Sequence, residues 1–376
     1  MRIKRLDVLR CVAVLLVLQS HSDLPWRITG AGYVGVDLFF VLSGFLISGL
    51  LFAEYKKRQS INFGRFFIRR SLKIYPSFYL LILATFIYQV RFHQLAPLGR
   101  YLAALFYVQN YTSRLWGHEW SLAVEEHFYI LLPLFLLLLI RWSSRRANPF
   151  QAIPWAFLFI AVTCLALRIS AVSKLSTVGL QSWETYNSIY MPTHFRMDAL
   201  CFGVLLGYLH HFRLDSLSRI LHRNGIVLFS LLLAAVLLSP AVLLPQRSKL
   251  MLTAGITSLY LGFGIILMLS LHIREVLPPL IARPCAALGN VCASIGMYSY
   301  SIYLWHWPVR TWGFALIRRI LHLQLSPLLG FVIYVSASIL LGASLSRFVE
   351  YPILKVRDRI LPATASVPEP VDSIQR

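Results

Sequence analysis

A chain of 376 residues that is 57% hydrophobic and only 14% charged lacks the polar surface to coat a water-soluble globule, because soluble domains carry about a quarter charged residues. The same apolar content excludes a disordered chain. What remains is a polytopic membrane protein whose outer surface is solvated by lipid. The formal net charge is +21 and the mean hydropathy +0.66. In an apolar background so many Lys and Arg residues point to anionic lipid headgroups or an anionic substrate. Nucleic acid is not expected, since few of these cations stand among aromatics in a polar context.

The N-terminal run Met1-Arg2-Ile3-Lys4-Arg5 imitates a signal peptide, but no small-x-small cleavage site follows, so it reads as the start of a retained helix. Spans of about 20 mainly apolar residues suit a membrane crossing. Ten occur, over approximately 6–23, 32–53, 74–92, 120–140, 151–171, 192–210, 225–244, 250–272, 288–307 and 326–346. The apolar stretch Tyr101–Tyr111 is too short to span and reads as re-entrant or interfacial. The expected fold class is therefore all-α, with about ten transmembrane helices around a polar central cavity.

Even parity places both termini on one side. Lys56, Lys57, Arg58, Arg65, Arg69, Arg70 and Lys73 follow the second span. Arg141, Arg145, Arg146, Arg213, Arg219, Arg223, Arg274 and Arg283 fall in later segments of the same side, and Arg347, Lys355, Arg357 and Arg359 near the end. By the positive-inside rule that side is cytoplasmic. Arg310, Arg318 and Arg319 run against the trend. The expected organisation is one membrane unit over 1–360 and a disordered cytoplasmic tail over 361–376. The five cysteines, Cys11, Cys164, Cys201, Cys285 and Cys292, have no C-x-x-C spacing and read as small apolar side chains rather than disulfides or metal ligands.

Ionisable residues inside the apolar runs carry the functional signal, because they are costly in lipid and generally face a polar interior. Arg10 and His21 are eleven residues apart, three helical turns plus about 20°, so they share one face about 16 Å apart along the axis. The structural alternative has Arg10 snorkelling to the interface and His21 at the opposite helix end. Asp37 stands early in the second span, as a helix cap or as a partner for Arg10 or His21, and Ser43-Gly44 suits close backbone approach. Arg70 and Lys73 are helical neighbours at a basic mouth, beside Arg69; they suit a phosphorylated ligand, although topology alone also asks for cations there. The fourth span opens on His118-Glu119-Trp120-Ser121-Leu122-Ala123-Val124-Glu125-Glu126-His127. Leu122 rules out H-E-x-x-H and with it a zincin. Glu125 and Glu126 lie deep enough to face the interior. Arg196 and Asp198 enter the sixth span, and Tyr300 and His306 stand in Tyr298-Ser299-Tyr300-Ser301-Ile302-Tyr303-Leu304-Trp305-His306-Trp307-Pro308. Arg347-Phe348-Val349-Glu350-Tyr351-Pro352 follows the last span.

In this order the blocks resemble the acyltransferase-3 family of integral membrane acyltransferases. The likeness rests on Leu9-Arg10 with His21, on Gly35-Val36-Asp37-Leu38-Phe39-Phe40-Val41-Leu42-Ser43-Gly44-Phe45-Leu46-Ile47, and on a basic segment ending Ile74-Tyr75-Pro76. The Trp120–Tyr129 block, the Tyr298–His306 element and Phe348-Val349-Glu350 complete it. It covers roughly residues 5–355. The resemblance implies transfer of an acyl group, often acetyl, from cytoplasmic acyl-CoA to a hydroxyl, often on an extracytoplasmic sugar. Acyl-CoA is then a co-substrate and no cofactor or metal is bound. The acceptor is a carbohydrate or lipid-linked glycan, and the location is a bacterial cytoplasmic membrane, among its lipids. The family's Arg–His pair maps onto Arg10 and His21, and its Arg-x-x-Arg onto Arg70 and Lys73, where Lys keeps the charge but not the bidentate fork. Glu119 stands where Thr is common and His127 where Gln is common.

On this reading Arg70, Lys73 and Arg69 bind the donor's phosphates and His21 acts as general base or as an acyl-imidazole nucleophile. Asp37 or Glu126 would orient it. Ser43, Glu125, Arg196, Tyr300 and His306 would support the site. The alternative is a transporter or flippase using Asp37, His21 and Glu126 as a relay, although the inverted repeat of many transporters is lacking.

Overall fold

In hydrocarbon every backbone polar group has to be satisfied inside the segment, which leaves the long apolar runs one option, the α-helix. A computed structural model describes residues 3–25, 30–143, 148–176, 178–214, 219, 225–272, 279–321 and 326–362. In chain order the main helices are α1 (Lys4–Ser20), α2 (Gly35–Arg58), α3 (Phe63–Arg91), α4 (Leu98–Leu105) and α5 (Trp120–Trp142). Then come α6 (Ile153–Ser173), α7 (Trp183–Tyr190), α8 (Met197–Phe212), α9 (Ile226–Leu238) and α10 (Ile256–His272). The last are α11 (Pro279–Met297), α12 (Ser299–Pro308), α13 (Phe314–Leu321), α14 (Pro327–Leu345) and α15 (Tyr351–Ile360). No strand occurs among the described residues.

Helix stands at all ten positions marked by hydropathy, and the protein is an all-α polytopic membrane protein. Seven stretches among the described residues are long and apolar enough to cross a bilayer: Gly32–Arg58, Phe63–Arg91, Trp120–Trp142, Pro149–Ser173, Ile226–Leu243, Met251–Leu271 and Pro327–Ile360. The other three expected spans are shorter, for visible reasons. Helix α1 has 17 residues and carries Asp7 and Arg10. Helix α8 has 16 and begins only after Arg196, which is anchored sideways. The span expected over 288–307 breaks at Tyr298, whose N–H turns back to the Ile295 carbonyl at 3.0 Å. Residues 98–105 form a single short helix, α4, too short to cross. The Arg145, Arg146, Arg223 and Arg274 positions and the expected tail from 363 onward lie outside the described residues.

Lipid gives helices no hydrophobic reason to associate, so close packing has to do it. Helices α2 and α8 cross backbone to backbone. A Cβ on Gly44 would lie 2.0 Å from the Leu200 carbonyl oxygen, and one on Gly203 2.3 Å from that of Val41. Helix α1 meets α11 in the same way at Gly296, 1.8 Å from the Asp7 oxygen. Replacing Gly203 by Val should wedge the α2–α8 crossing and cost at least about 1–3 kcal/mol, as overpacking does. Thermal melting followed by size-exclusion chromatography in detergent checks this; an unchanged midpoint would mean the crossing tolerates separation.

Two ion pairs, both without side-chain exposure, lock the start of α8. Arg196 donates to Asp37 of α2 at 2.6 Å, and Arg168 of α6 to Asp198 at 2.8 Å. Arg168 also reaches the Phe195 carbonyl at 2.6 Å and Thr257 of α10 at 2.8 Å. At the basic end of the bundle, cations satisfy the last, otherwise unpaired carbonyls of helices: Arg5 donates to Ser270 and Leu271, Lys56 to His211, and Arg69 to Leu361. Leu228, Phe229, Leu232 and Val236 of α9 point outward, as suits a lipid-facing surface.

Candidate active site

Three cavities follow one another through the bundle. The first, about 850 Å³, opens at the basic end and is lined by Glu54, Arg65, Arg69, Arg70, Lys73 and Arg357, with Leu50 and Phe66 among its apolar neighbours. The second, about 800 Å³, shares Arg70 and Lys73 with it and adds Arg10, Ser43, Glu125, Tyr300 and Glu350. The third, about 1170 Å³, lies at the opposite end and holds His21. Val36 and Tyr303 border both the second and the third. Arg10 and His21, on one face of α1, thus stand in successive chambers with Tyr303 and Val36 between them.

The inner chamber is a mixed-charge cage. Arg70 of α3 lies over the Tyr129 ring, 4.2 Å from its centroid, and donates to the Tyr129 hydroxyl. That hydroxyl donates to Glu125 Oε2 at 2.7 Å, and Ser43 Oγ donates to Glu125 Oε1 at 2.7 Å. Arg10 keeps Asp7 at 3.3 Å. Glu350 sits in a π-helical turn, Ser346–Glu350, which turns its carboxylate inward; π-turns often mark functional sites. Ser77 at 3.0 Å, Ser346 at 2.9 Å and Ser301 all donate to it. Tyr300 ties α12 to α3 by donating to the Ile74 carbonyl at 2.8 Å. Arg69 belongs to the mouth, paired with Asp358 at 2.9 Å.

In the outer chamber His21 caps the C-terminus of α1, where the last carbonyls lack helical partners. Its Nδ1 lies 3.0 Å from the Val17 carbonyl oxygen. A carbonyl only accepts, so Nδ1 carries the proton and Nε2 the lone pair. The His21 ring stands 5.1 Å from His306 and 5.3 Å from Trp307, and His306 is 4.8 Å from His118. His118 and His306 are likewise held by backbone carbonyls, Leu304 at 3.0 Å and Tyr303. Aromatic residues make up much of the wall: Tyr33, Trp120, Trp183, Tyr186, Tyr190 and Trp307.

Several sequence expectations land elsewhere. Asp37 does not meet His21, because it is committed to Arg196. Glu126 turns toward α3 and accepts from Tyr75 at 3.2 Å. A backbone carbonyl holds the imidazole instead of a carboxylate. Neither Asp37 nor Arg196 lines any of these three cavities; they hold the α2–α8 frame, and Arg196 packs 4.5 Å from the centroid of Tyr190 in the outer wall. His306 joins His21, Ser43 joins Glu125, and Arg70 and Lys73 share two chambers. Residues without an assigned role in the sequence reading are Tyr129, Tyr303, Trp307, Glu350 and the face of α7. The α7 signal was readable: Trp183, Tyr186 and Tyr190 stand at i, i+3 and i+7, one helix face, in a segment too short to register as a span.

Such a fold, with charged chambers running through an apolar bundle, defines a polytopic membrane protein built to bring polar groups together inside the bilayer. The chain belongs to the acyltransferase-3 family: the model described as "Acyltransferase domain" matches residues 3–347. It is 27% identical over 376 aligned residues to the peptidoglycan O-acetyltransferase OatA of Listeria monocytogenes, covering 93% of this chain and 55% of that protein. It is 27% identical over 329 residues to the putative peptidoglycan O-acetyltransferase YrhL of Bacillus subtilis, covering 81% of this chain and 48% of that one. To the O-acetyltransferase OatA of Staphylococcus aureus it is 26% identical over 370 residues, covering 93% and 57%. The chain therefore spans about half the length of the curated relatives it matches. No solved structure matches it.

Proposed function

We propose that the protein is a membrane O-acyltransferase that moves an acyl group, acetyl by analogy with its relatives, from acyl-CoA to a hydroxyl of a carbohydrate. One observation carries the reading: Arg10 and His21 occupy consecutive chambers that share Tyr303 and Val36, and the first of these chambers opens through Arg70 and Lys73 into a basic mouth. The basic end is the cytoplasmic one by the positive-inside rule, in a bacterial cytoplasmic membrane with both termini inside. Residues 1–360 act as one catalytic unit.

Donor phosphates bind at the mouth to Arg69, Arg70 and Lys73. The extended thiol arm threads the inner chamber past Arg10 and presents its thioester at Tyr303. An acceptor hydroxyl enters from the other side. His21 Nε2, with Nδ1–H fixed on the Val17 carbonyl, takes the hydroxyl proton while the oxygen attacks the thioester carbon. The tetrahedral intermediate then expels the thiolate, which recovers the proton from His21. The same Nε2 lone pair would serve an acyl-imidazole route, in which it attacks the thioester carbon first. The relatives' printed acceptor, peptidoglycan, is one member of the acceptor class.

Mass spectrometry of cell-surface glycans with and without the protein tests this, since loss of an acyl mass is expected. A glycan that is moved but unmodified would instead favour the transporter reading. Lys73→Ala should raise the apparent KM for acetyl-CoA about tenfold or more with little change in kcat, the size of one charge-assisted hydrogen bond. An unchanged KM would remove Lys73 from the donor site.

A further inference from the structure

The outer chamber carries cations that neither membrane topology nor the proposed chemistry requires. Arg114 and Arg310 line it, at the end opposite the basic one, where the positive-inside rule works against arginine. No Asp or Glu is among its described lining residues. Arg114 forms no ion pair among the described residues. The nearby Glu119 attracts Arg114 electrostatically but is fully buried outside the lining, where it accepts the Trp116 N–H at 3.3 Å. Arg310 holds Asp23 at 2.7 Å, but the Asp23 side chain is 70% exposed, so this is a rim pair of the weak, exchangeable kind. Arg247 lies outside the lining; it stacks 3.6 Å from the centroid of the wall residue Trp183 and donates to the Gln181 carbonyl.

Cations of one sign in a concave, low-dielectric wall focus a positive potential into the space they surround. For a neutral sugar that arrangement is a loss, because the guanidinium groups shed water and gain only neutral acceptors. For an anionic one it supplies charge-assisted, bidentate hydrogen bonds. The aromatic faces of Trp183, Tyr190 and Trp307 offer flat surfaces for a pyranose ring, and Asn187 and Gln246 supply hydroxyl partners. We infer that the outer chamber selects an acceptor whose sugar carries a negative charge, carboxylate or phosphate, read by Arg114 and Arg310. This rests on the acceptor entering the His21 chamber, as proposed above.

The test is binding, measured by isothermal titration calorimetry on the full chain in nanodiscs without any donor. Three oligosaccharides of equal length are compared, built on glucose, on glucuronate, and on glucose 6-phosphate. One of the two acidic sugars should bind about tenfold or more tightly than the neutral one at low salt, with the advantage shrinking as salt rises. Which acid wins identifies the charged group. The Arg114→Gln/Arg310→Gln double variant should abolish the preference, while Arg114→Lys should keep most of it. Binding of the acidic sugars no tighter than that of the neutral one, or a preference that survives in the double variant, overturns the inference. The proposed activity fails separately: the acidic sugar binds as expected, yet adding acetyl-CoA places no acetyl group on it.

Discussion

His21→Ala is expected to fold and insert like the wild type and to lose acyl transfer by at least about 10²–10⁴-fold, the contribution of a positioned general base. The fold should survive because His21 is only half-buried at the end of α1 and makes its polar contacts within its own helix turn, to Val17 and Ser20. Donor affinity should also survive, because Arg10, Arg70 and Lys73 line a different chamber. The diagnostic pattern is therefore a collapse of kcat with a near-constant KM for acetyl-CoA, measured on purified protein in nanodiscs. His21→Gln should behave like Ala, since an amide donates and accepts but does not take up a proton near neutrality. Substantial transfer by either variant would sink the assignment of His21.

Arg196→Leu should be the most destabilising single change in the frame. It leaves the Asp37 carboxylate fully buried without its cation, and removing one partner of such a pair costs about 3–5 kcal/mol. Asp37 has no spare support: its second oxygen, Oδ2, has no hydrogen-bond partner in the structure. The variant should extract poorly and melt early. The double change Asp37→Leu/Arg196→Leu should recover much of the loss, because two apolar groups leave no orphaned charge. If the double variant melts no higher than Arg196→Leu, the pair is not what holds α2 against α8. The effect would also reach the chemistry, since Arg196 packs on Tyr190, a wall residue of the outer chamber.

Composition and periodicity were enough to place helix at all ten expected positions, because a lipid-solvated chain has so few ways to satisfy its backbone. They were also enough to single out Arg10 and His21, since ionisable groups in an apolar run stand out against their surroundings, whereas Arg70 and Lys73 stand in a basic segment where topology alone asks for cations. Lengths were less legible. Helices α1 and α8 are short where charged side chains stand, and 279–308 breaks at Tyr298, since the ends are set by contacts with other helices.

Partner choice was not legible at all. One residue apart on α5, Glu125 turns to Ser43 and the inner chamber, Glu126 to Tyr75; a 100° step sends them to different neighbours, and only the packing of α2 and α3 names those neighbours. Asp37 had equal sequence reasons to meet Arg10, His21 or a helix end, and the α2–α8 glycine crossing delivered Arg196. The amino-acid order by itself settled that this protein is an apolar helical bundle with a few costly polar groups inside. Tertiary structure alone decided that those groups divide into a buried clamp and three linked chambers, because which charges meet depends on helix rotation and crossing points that local periodicity leaves free.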